Sequence, residues 1–304
     1  MAMPGGRHAR SRFLTITAGW RRREERTRMS YLQAILLGVL QGLTEFLPVS
    51  SSAHLAIAPQ LFGLADPGAS FTAVTQIGTE AAVIIFFRHD IWRIARAWVL
   101  SLFRPELRGS LDARMGWYVI VGTIPIAVAG VLLQETIKTT FRSLWLIAIM
   151  LIVFGLILGV ADRVNLGRKD MDRLTLRDSI LYGLGQMLAL VPGVSRSGAT
   201  ITVGLFLGYR RDVATRYAFL LAIPAVLASG FFQLSDVSAS AEPGLPKTLV
   251  ATAVAFVVGY LTIGWLLKYL RTRSYMPFVI YRVALGTVVL ILLASGVLDA
   301  SVPA

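Results

Sequence analysis

The sequence contains no cysteine, which removes disulfide staples and thiolate chemistry together. Of its three histidines, only His54 falls inside an apolar segment. Charge is scarce as well. Only 15% of the residues are charged against 55% hydrophobic, a balance rare in soluble domains of this size and usual in polytopic membrane proteins. The formal net charge of +13 raises the question of nucleic acid, but no basic stripe interleaved with aromatics accompanies it. Lys and Arg collect instead in short loops beside apolar runs, as positive-inside orientation requires. Nucleic acid is therefore set aside as a partner.

What is present is long uncharged sequence. "LWLIAIMLIVFGLILGVA" (144–161) and "TLVATAVAFVVGYLTIGWLL" (248–267) carry no charge over the roughly 17–25 residues that cross a bilayer core. Lipid offers backbone groups no hydrogen bonds, so such spans are helical. The expectation is an all-α polytopic membrane protein. Residues 1–28 are basic and lack the apolar core of a signal peptide. They are expected to be a dispensable extension, or to precede a native start at Met29, with 29–304 one membrane domain.

Apolar segments fall near 31–47, 53–64, 71–87, 116–133, 144–161, 179–191, 198–208, 217–234, 248–267 and 278–297. Six are long enough to span. The other four come as two pairs, about 31–64 and 179–208, each interrupted by proline and a serine cluster: "LPVSSSAHL" (47–55) and "VPGVSRSGA" (191–199). Such breaks favour two half-helices, a re-entrant hairpin, over one continuous helix. The pairs also resemble each other: "ILLGVLQ" (35–41) matches "ILYGLGQ" (180–186) at an offset of 145, and Pro48 matches Pro192 at 144. Loops 88–114, 162–178 and 268–277 are rich in Lys and Arg and read as cytoplasmic. Six spans and two hairpins then form inverted-topology repeats, the first hairpin entering from outside and the second from the cytoplasm. This leaves the N-terminus outside, at odds with a basic 1–28 unless the chain starts at Met29.

Ionisable groups within the apolar segments are Glu45, His54, Glu80, Arg196 and Arg282. Each is costly there, about 2.5–3.5 kcal/mol for a charge on insertion scales, so a function is the first hypothesis. Arg282, near a segment end, reads instead as a structural or snorkelling group, and Glu80 divides evenly between the two readings. Gln41 and Glu45 share a helix face. Pro48 ends that half-helix, Ser50, Ser51 or Ser52 can cap the next, and His54 lies in its first turn. A carboxylate to take a proton, a hydroxyl to attack and an imidazole to donate would thus approach one point. In the second motif Gly193 allows close backbone approach, Ser195 can cap, and Arg196 offers a planar fork of donors suited to phosphate. Half-helix N-termini add positive partial charge. An anion site in the membrane, for a phosphate ester or anhydride on a lipid, is the natural reading.

"QGLTEFLPVSSSAHL" and "LVPGVSRSGATI" resemble the two signature motifs of the undecaprenyl-diphosphate phosphatases, the bacitracin-resistance proteins of bacteria; "FTAVTQIGTEAAVI" (71–84) and "FVIYRVALG" (278–286) also fit. The resemblance implies an enzyme of the bacterial plasma membrane that converts the C55 isoprenyl diphosphate carrier to its monophosphate for peptidoglycan synthesis, its site open to the outer face. It implies six spans with two re-entrant hairpins, and leaves room for a homodimer. Carried over, the catalytic group is Glu45, Ser51 (or a water in its place), His54 and Arg196, and the substrate-binding group is Gln41, Ser50, Ser52, Gly193, Ser195 and Ser197. No permanent cofactor is expected. A divalent cation, Mg2+ or Ca2+, would be held largely by substrate phosphates, with Glu45 the candidate ligand. Many relatives have a second glutamate where this chain has Gln41, which shifts the acid–base burden to Glu45. One rival is of another class, a lipid flippase on the same inverted-repeat fold; a second is a membrane phosphatase of the two-histidine, K-x6-R-P kind, disfavoured because the chain has only His8, His54 and His89 and no such lysine motif.

Overall fold

The computed structural model describes residues 29–62, 68–134, 136, 143–234 and 244–301. The segment 1–28, and with it the question of the start, lies outside them. Among the described residues the chain forms α-helices with no strand: α1 Tyr31–Phe46, α2 Ser51–Phe62, α3 Gly68–Phe86, α4 Arg88–Phe103, α5 Leu111–Leu132, α6 Leu144–Val164, α7 Leu176–Leu188, α8 Arg196–Phe206, α9 Arg211–Leu234, α10 Leu245–Tyr269 and α11 Met276–Ala294. Four of these, α5, α6, α10 and α11, are long and apolar enough to cross a membrane; α3 and α4 pass the same test only as a pair bent by 70°. Large apolar side chains such as Leu36, Ile124, Leu156, Leu261 and Ile291 are exposed, as lipid-facing surfaces require. Ten of the eleven helices fall on the ten apolar segments.

The exception is α4, which lies in the stretch expected as a cytoplasmic loop. Its charges, Arg88, Asp90, Arg93 and Arg96, hide a helical period in which Ile94 and Ser101 are buried. An amphipathic helix bent away from α3 is the result. It docks on α5, where Gly116 lies against the Trp98 ring. Another span expected from sequence, α9, is 24 residues long but opens with Arg211, Asp212 and, one turn on, Arg216.

The two broken pairs, α1–α2 and α7–α8, are built alike at an offset of 145 residues. Each begins with a capping box: Ser30 with Gln33, and Thr175 with Asp178. Each first helix lies against a long helix across glycine. Gly38 and Gly42 let α1 run against α10, where a methyl on Gly38 would stand 2.5 Å from the Ala251 carbonyl oxygen and one on Gly42 2.8 Å from that of Ala255. Gly183 lets α7 meet the backbone of α5 at Gly122, and the buried Ser179 hydroxyl donates to the Tyr118 carbonyl at 2.5 Å. Small residues four apart are how helices approach closely where no hydrophobic effect drives them together. The residue order along both contacts is parallel. The start of α5 (Leu111) and the end of α10 (Leu267, Lys268) line one cleft, however, so those two helices are antiparallel. Outside this set, α6 and α11 pair antiparallel, with Gly159 against Val279 and Gly286 against Ala148 and Ile152.

Candidate active site

The breaks in the two pairs are the same turn twice. Ser50 and Ser195 are the described non-glycine residues with positive φ, +74° in both. That conformation costs about 1–3 kcal/mol without glycine and persists only where surroundings hold it. Here each serine caps the helix that follows: Ser50 Oγ accepts from the Ala53 N–H at 3.4 Å, and Ser195 Oγ from Gly198 at 3.1 Å. Each also meets the hydroxyl two residues on, Ser52 at 3.1 Å and Ser197 at 3.2 Å. The repeat is therefore 145 through the turn as well. At this register Pro48 stands opposite Gly193 (φ +92°) rather than Pro192, and the two turns differ there: proline holds φ near about −65° in the first, and glycine supplies the left-handed residue of the second.

This register places Ser51 and Arg196 at equivalent positions, the first residues of α2 and α8. Both reach one carboxylate. Glu45 Oε2 accepts from Ser51 Oγ at 2.7 Å and from Gln41 Nε2 at 3.1 Å. Glu45 Oε1 is salt-bridged to Arg196 Nη2. The Glu45 side chain is 8% exposed and that of Arg196 23%. The turns are also tied directly, Ser197 Oγ donating to the Leu47 carbonyl at 3.1 Å and the Gly193 N–H to Ser52 Oγ at 3.5 Å. The opening N–H groups of α2 and α8, those of Ser51, Ser52, Arg196 and Ser197, have no partner among the described residues, a condition that favours an anion. A narrow cleft opens beside it, lined by Glu45, Thr79, Glu80, Arg196 and Ser197, with Phe46 and Phe219 among its apolar walls.

The model of one family, the bacitracin resistance protein BacA, matches residues 34–288. The chain belongs to that family. A protein of Nocardioides sp. (strain ATCC BAA-499 / JS614) named undecaprenyl-diphosphatase is 62% identical over 273 residues, 90% of this chain and all of the relative. One of Thermobifida fusca with the same name is 54% identical over 270 residues, 89% of this chain and 92% of that one. Undecaprenyl-diphosphatase 2 of Streptomyces coelicolor is 54% identical over 283 residues, covering 89% and 97%.

Within this BacA-family site, the sequence motifs bring together Gln41, Glu45, Ser51 and Arg196, with Ser50, Ser52, Gly193, Ser195 and Ser197 shaping the turns. His54 is placed otherwise. It is buried in the first turn of α2, but hydrogen-bonds neither Glu45 nor Arg196. Its Nδ1 lies 2.7 Å from the Ser50 carbonyl, which can only accept, so Nδ1 carries the proton. Nε2 then accepts from the Tyr281 hydroxyl at 2.6 Å, the two rings lying nearly parallel.

Two residues escaped the motif reading. Tyr281 carried no signal beyond lying in "FVIYRVALG". Arg282 was visible as a charge in an apolar segment, but it does not snorkel: it is fully buried. Its guanidinium donates to the carbonyls of Pro48 (3.2 Å), Gly193 (2.9 Å) and Val194 (3.0 Å), and to those of Leu151 (3.2 Å) and Met150 (3.4 Å) on α6. One side chain thus pins both turns and α6 together.

A divalent cation finds no ready cage, since among the described residues no three carboxylate or imidazole groups converge. Glu45, the ligand expected from sequence, has both oxygens occupied by Ser51, Gln41 and Arg196. Glu80, on the same cleft, has neither oxygen occupied by a described partner.

Proposed function

We propose that this protein hydrolyses undecaprenyl diphosphate to undecaprenyl phosphate and inorganic phosphate in the bacterial plasma membrane, returning the carrier lipid to peptidoglycan synthesis. The observation that carries the reading is the convergence of Ser51 and Arg196, from two different helix breaks, on the one carboxylate of Glu45. A hydroxyl held 2.7 Å from a carboxylate is a nucleophile beside its base. A guanidinium at the head of a half-helix is a phosphate holder. Relatives named undecaprenyl-diphosphatase at 54–62% identity supply the substrate.

Glu45 occupies the place on Arg196 that a phosphate would take. When the diphosphate enters, Arg196 exchanges the carboxylate for phosphate oxygens, and the N–H groups opening α2 and α8 hold the rest. Glu45, released, takes the proton of the Ser51 hydroxyl. The serine oxygen bonds to the terminal phosphorus, the bond from that phosphorus to the bridging oxygen breaks, and undecaprenyl phosphate leaves. Water then cleaves the phosphoserine and gives inorganic phosphate. Positioning and charge stabilisation do most of this work, as in phosphoryl transfer generally. His54 holds the strained Ser50 carbonyl through Nδ1, and so sets the direction of Ser51. In this tautomer Nε2 carries no proton, so the bridging oxygen leaves as a phosphate oxygen of undecaprenyl phosphate without one from His54. A divalent cation carried on the substrate would neutralise part of the diphosphate charge, and Glu80 on the cleft wall is the carboxylate that would hold it.

The membrane arrangement belongs to the same proposal: six spans (α3, α5, α6, α9, α10, α11) and two re-entrant pairs of opposite sense. Its support is that α1 runs parallel to α10, α7 parallel to α5, and α5 antiparallel to α10. The end shared by Leu111 and Lys268 also carries Arg93, Arg216 and Arg271. We assign that end to the cytoplasm and the mouth of the site to the outer face.

Purified protein incubated with undecaprenyl diphosphate and Mg2+ tests the reading. Equal amounts of phosphate and undecaprenyl phosphate are expected. Movement of the diphosphate lipid between leaflets of liposomes with no phosphate released would overturn it.

A further inference from the structure

Glu80 belongs to neither turn and takes no part in the bond-making steps above. It sits on α3, 6% exposed, and among the described residues its carboxylate has no hydrogen bond or ion pair of its own. A buried carboxylate without a partner is unfavourable, yet this one opens onto the cleft beside Glu45 and Arg196. With Gln41 uncharged, the cleft holds two carboxylates against one guanidinium. The two are not equivalent. Glu45 has its oxygens filled by Ser51, Gln41 and Arg196, whereas those of Glu80 are open.

The neighbouring residue sharpens the point. Thr79 also lines the cleft, and its hydroxyl hydrogen is committed to the Gln76 carbonyl at 2.7 Å. Toward the cleft that oxygen can only accept. This wall of the site therefore offers lone pairs and no donors, the reverse of the Arg196 wall. A bare diphosphate would be repelled by it. A diphosphate carrying a divalent cation would not, because such a cation commonly takes one or two carboxylates and completes its shell with phosphate oxygens and water.

We infer that Glu80, assisted by the Thr79 hydroxyl, is the protein ligand for a divalent cation carried on the substrate diphosphate, and that Glu45 is not a metal ligand. The inference rests on the diphosphatase reading for the nature of the anion. It divides the labour of the two carboxylates: Glu45 for the proton, Glu80 for the cation.

The test is a Mn2+ titration of the detergent-purified chain, following the spin-resonance signal of free Mn2+, with methylene diphosphonate as the probe anion. Wild type is expected to bind one Mn2+ per chain when the probe is present. Glu80→Gln is expected to raise the Mn2+ Kd at least tenfold, Glu80→Asp to recover part of the loss, and Thr79→Val to weaken binding a few-fold. Glu45→Gln should leave the Kd within about threefold. Unchanged thermal midpoints identify folded variants, and Glu80→Met serves should Glu80→Gln fail to fold. Wild-type affinity in both Glu80 variants, loss of Mn2+ in Glu45→Gln, or no binding by wild type would overturn the inference. Phosphate release is measured separately, so a chain that binds Mn2+ with the diphosphonate but releases no phosphate refutes the proposed activity and not the cation site.

Discussion

Replacing Arg282 by methionine removes a side chain that touches no substrate, and the structure says it should nonetheless disable the site. Five carbonyl oxygens lose a donor. Met150 and Leu151 lie within α6 and keep their helical bonds, but Pro48, Gly193 and Val194 are turn carbonyls with no other donor among the described residues. A buried polar group left unpaired costs about 1–3 kcal/mol. Methionine also spares the molecule a buried charge, which offsets part of the loss, so the low end applies: about 3 kcal/mol for the three carbonyls together. At roughly 2–4 °C per kcal/mol for a chain of this order of size, the thermal midpoint should fall by about 6 °C or more. Pro48 and Gly193 hold the turns whose next residues are Ser51 and Arg196. Misplacement of the turns by about 1 Å is worth on the order of 100-fold in turnover. The assay is phosphate release at saturating lipid beside a thermal melt in the same detergent, with Arg282→Lys expected between wild type and Arg282→Met. Wild-type turnover and midpoint in Arg282→Met would refute the claim that this residue pins the two turns.

Other expectations follow from the same geometry. Arg196→Lys keeps a charge but loses the planar fork, and turnover should drop roughly 100-fold while the melt is unchanged; near-normal kcat would argue against fork-like phosphate binding. Gln41→Leu removes the donor 3.1 Å from Glu45, so phosphate release should fall about tenfold, and wild-type release would contradict the role given to Gln41. Gly183→Val forces a side chain into the backbone of Gly122 and should cost at least about 1–3 kcal/mol, read as a lower midpoint; Gly130→Ala, where nothing lies within 4 Å, is the control.

Much of this was legible because lipid restricts what a sequence can do. Long apolar runs had to be helices, and all ten appear as helices near the expected bounds. Helix α4 was hidden because it is amphipathic, its charges interrupting the apolar run, so run length carries no information there. In the site, Glu45 and Arg196 stood out as polar residues in apolar surroundings; that contrast left Ser50, Ser51 and Ser52 open, and Ser51 was singled out with the family resemblance. The repeat offset was read as 144 at the prolines and is 145 throughout, since a left-handed turn aligns by conformation and not by residue name. Arg282 was read as a structural or snorkelling group; it is structural, and distance from a segment end says nothing about which carbonyls a guanidinium finds inside. The pairing of His54 with Tyr281 joins residues 227 apart in sequence, a contact that no local pattern contains.

Phosphate release from undecaprenyl diphosphate by wild type, Ser51→Ala and Arg196→Ala, each shown folded by its melt, asks most directly whether two helix breaks make one active site. Both variants are predicted to fall at least about 100-fold, although their residues come from different motifs. Near-wild-type release by either one would mean that its turn is not part of the site.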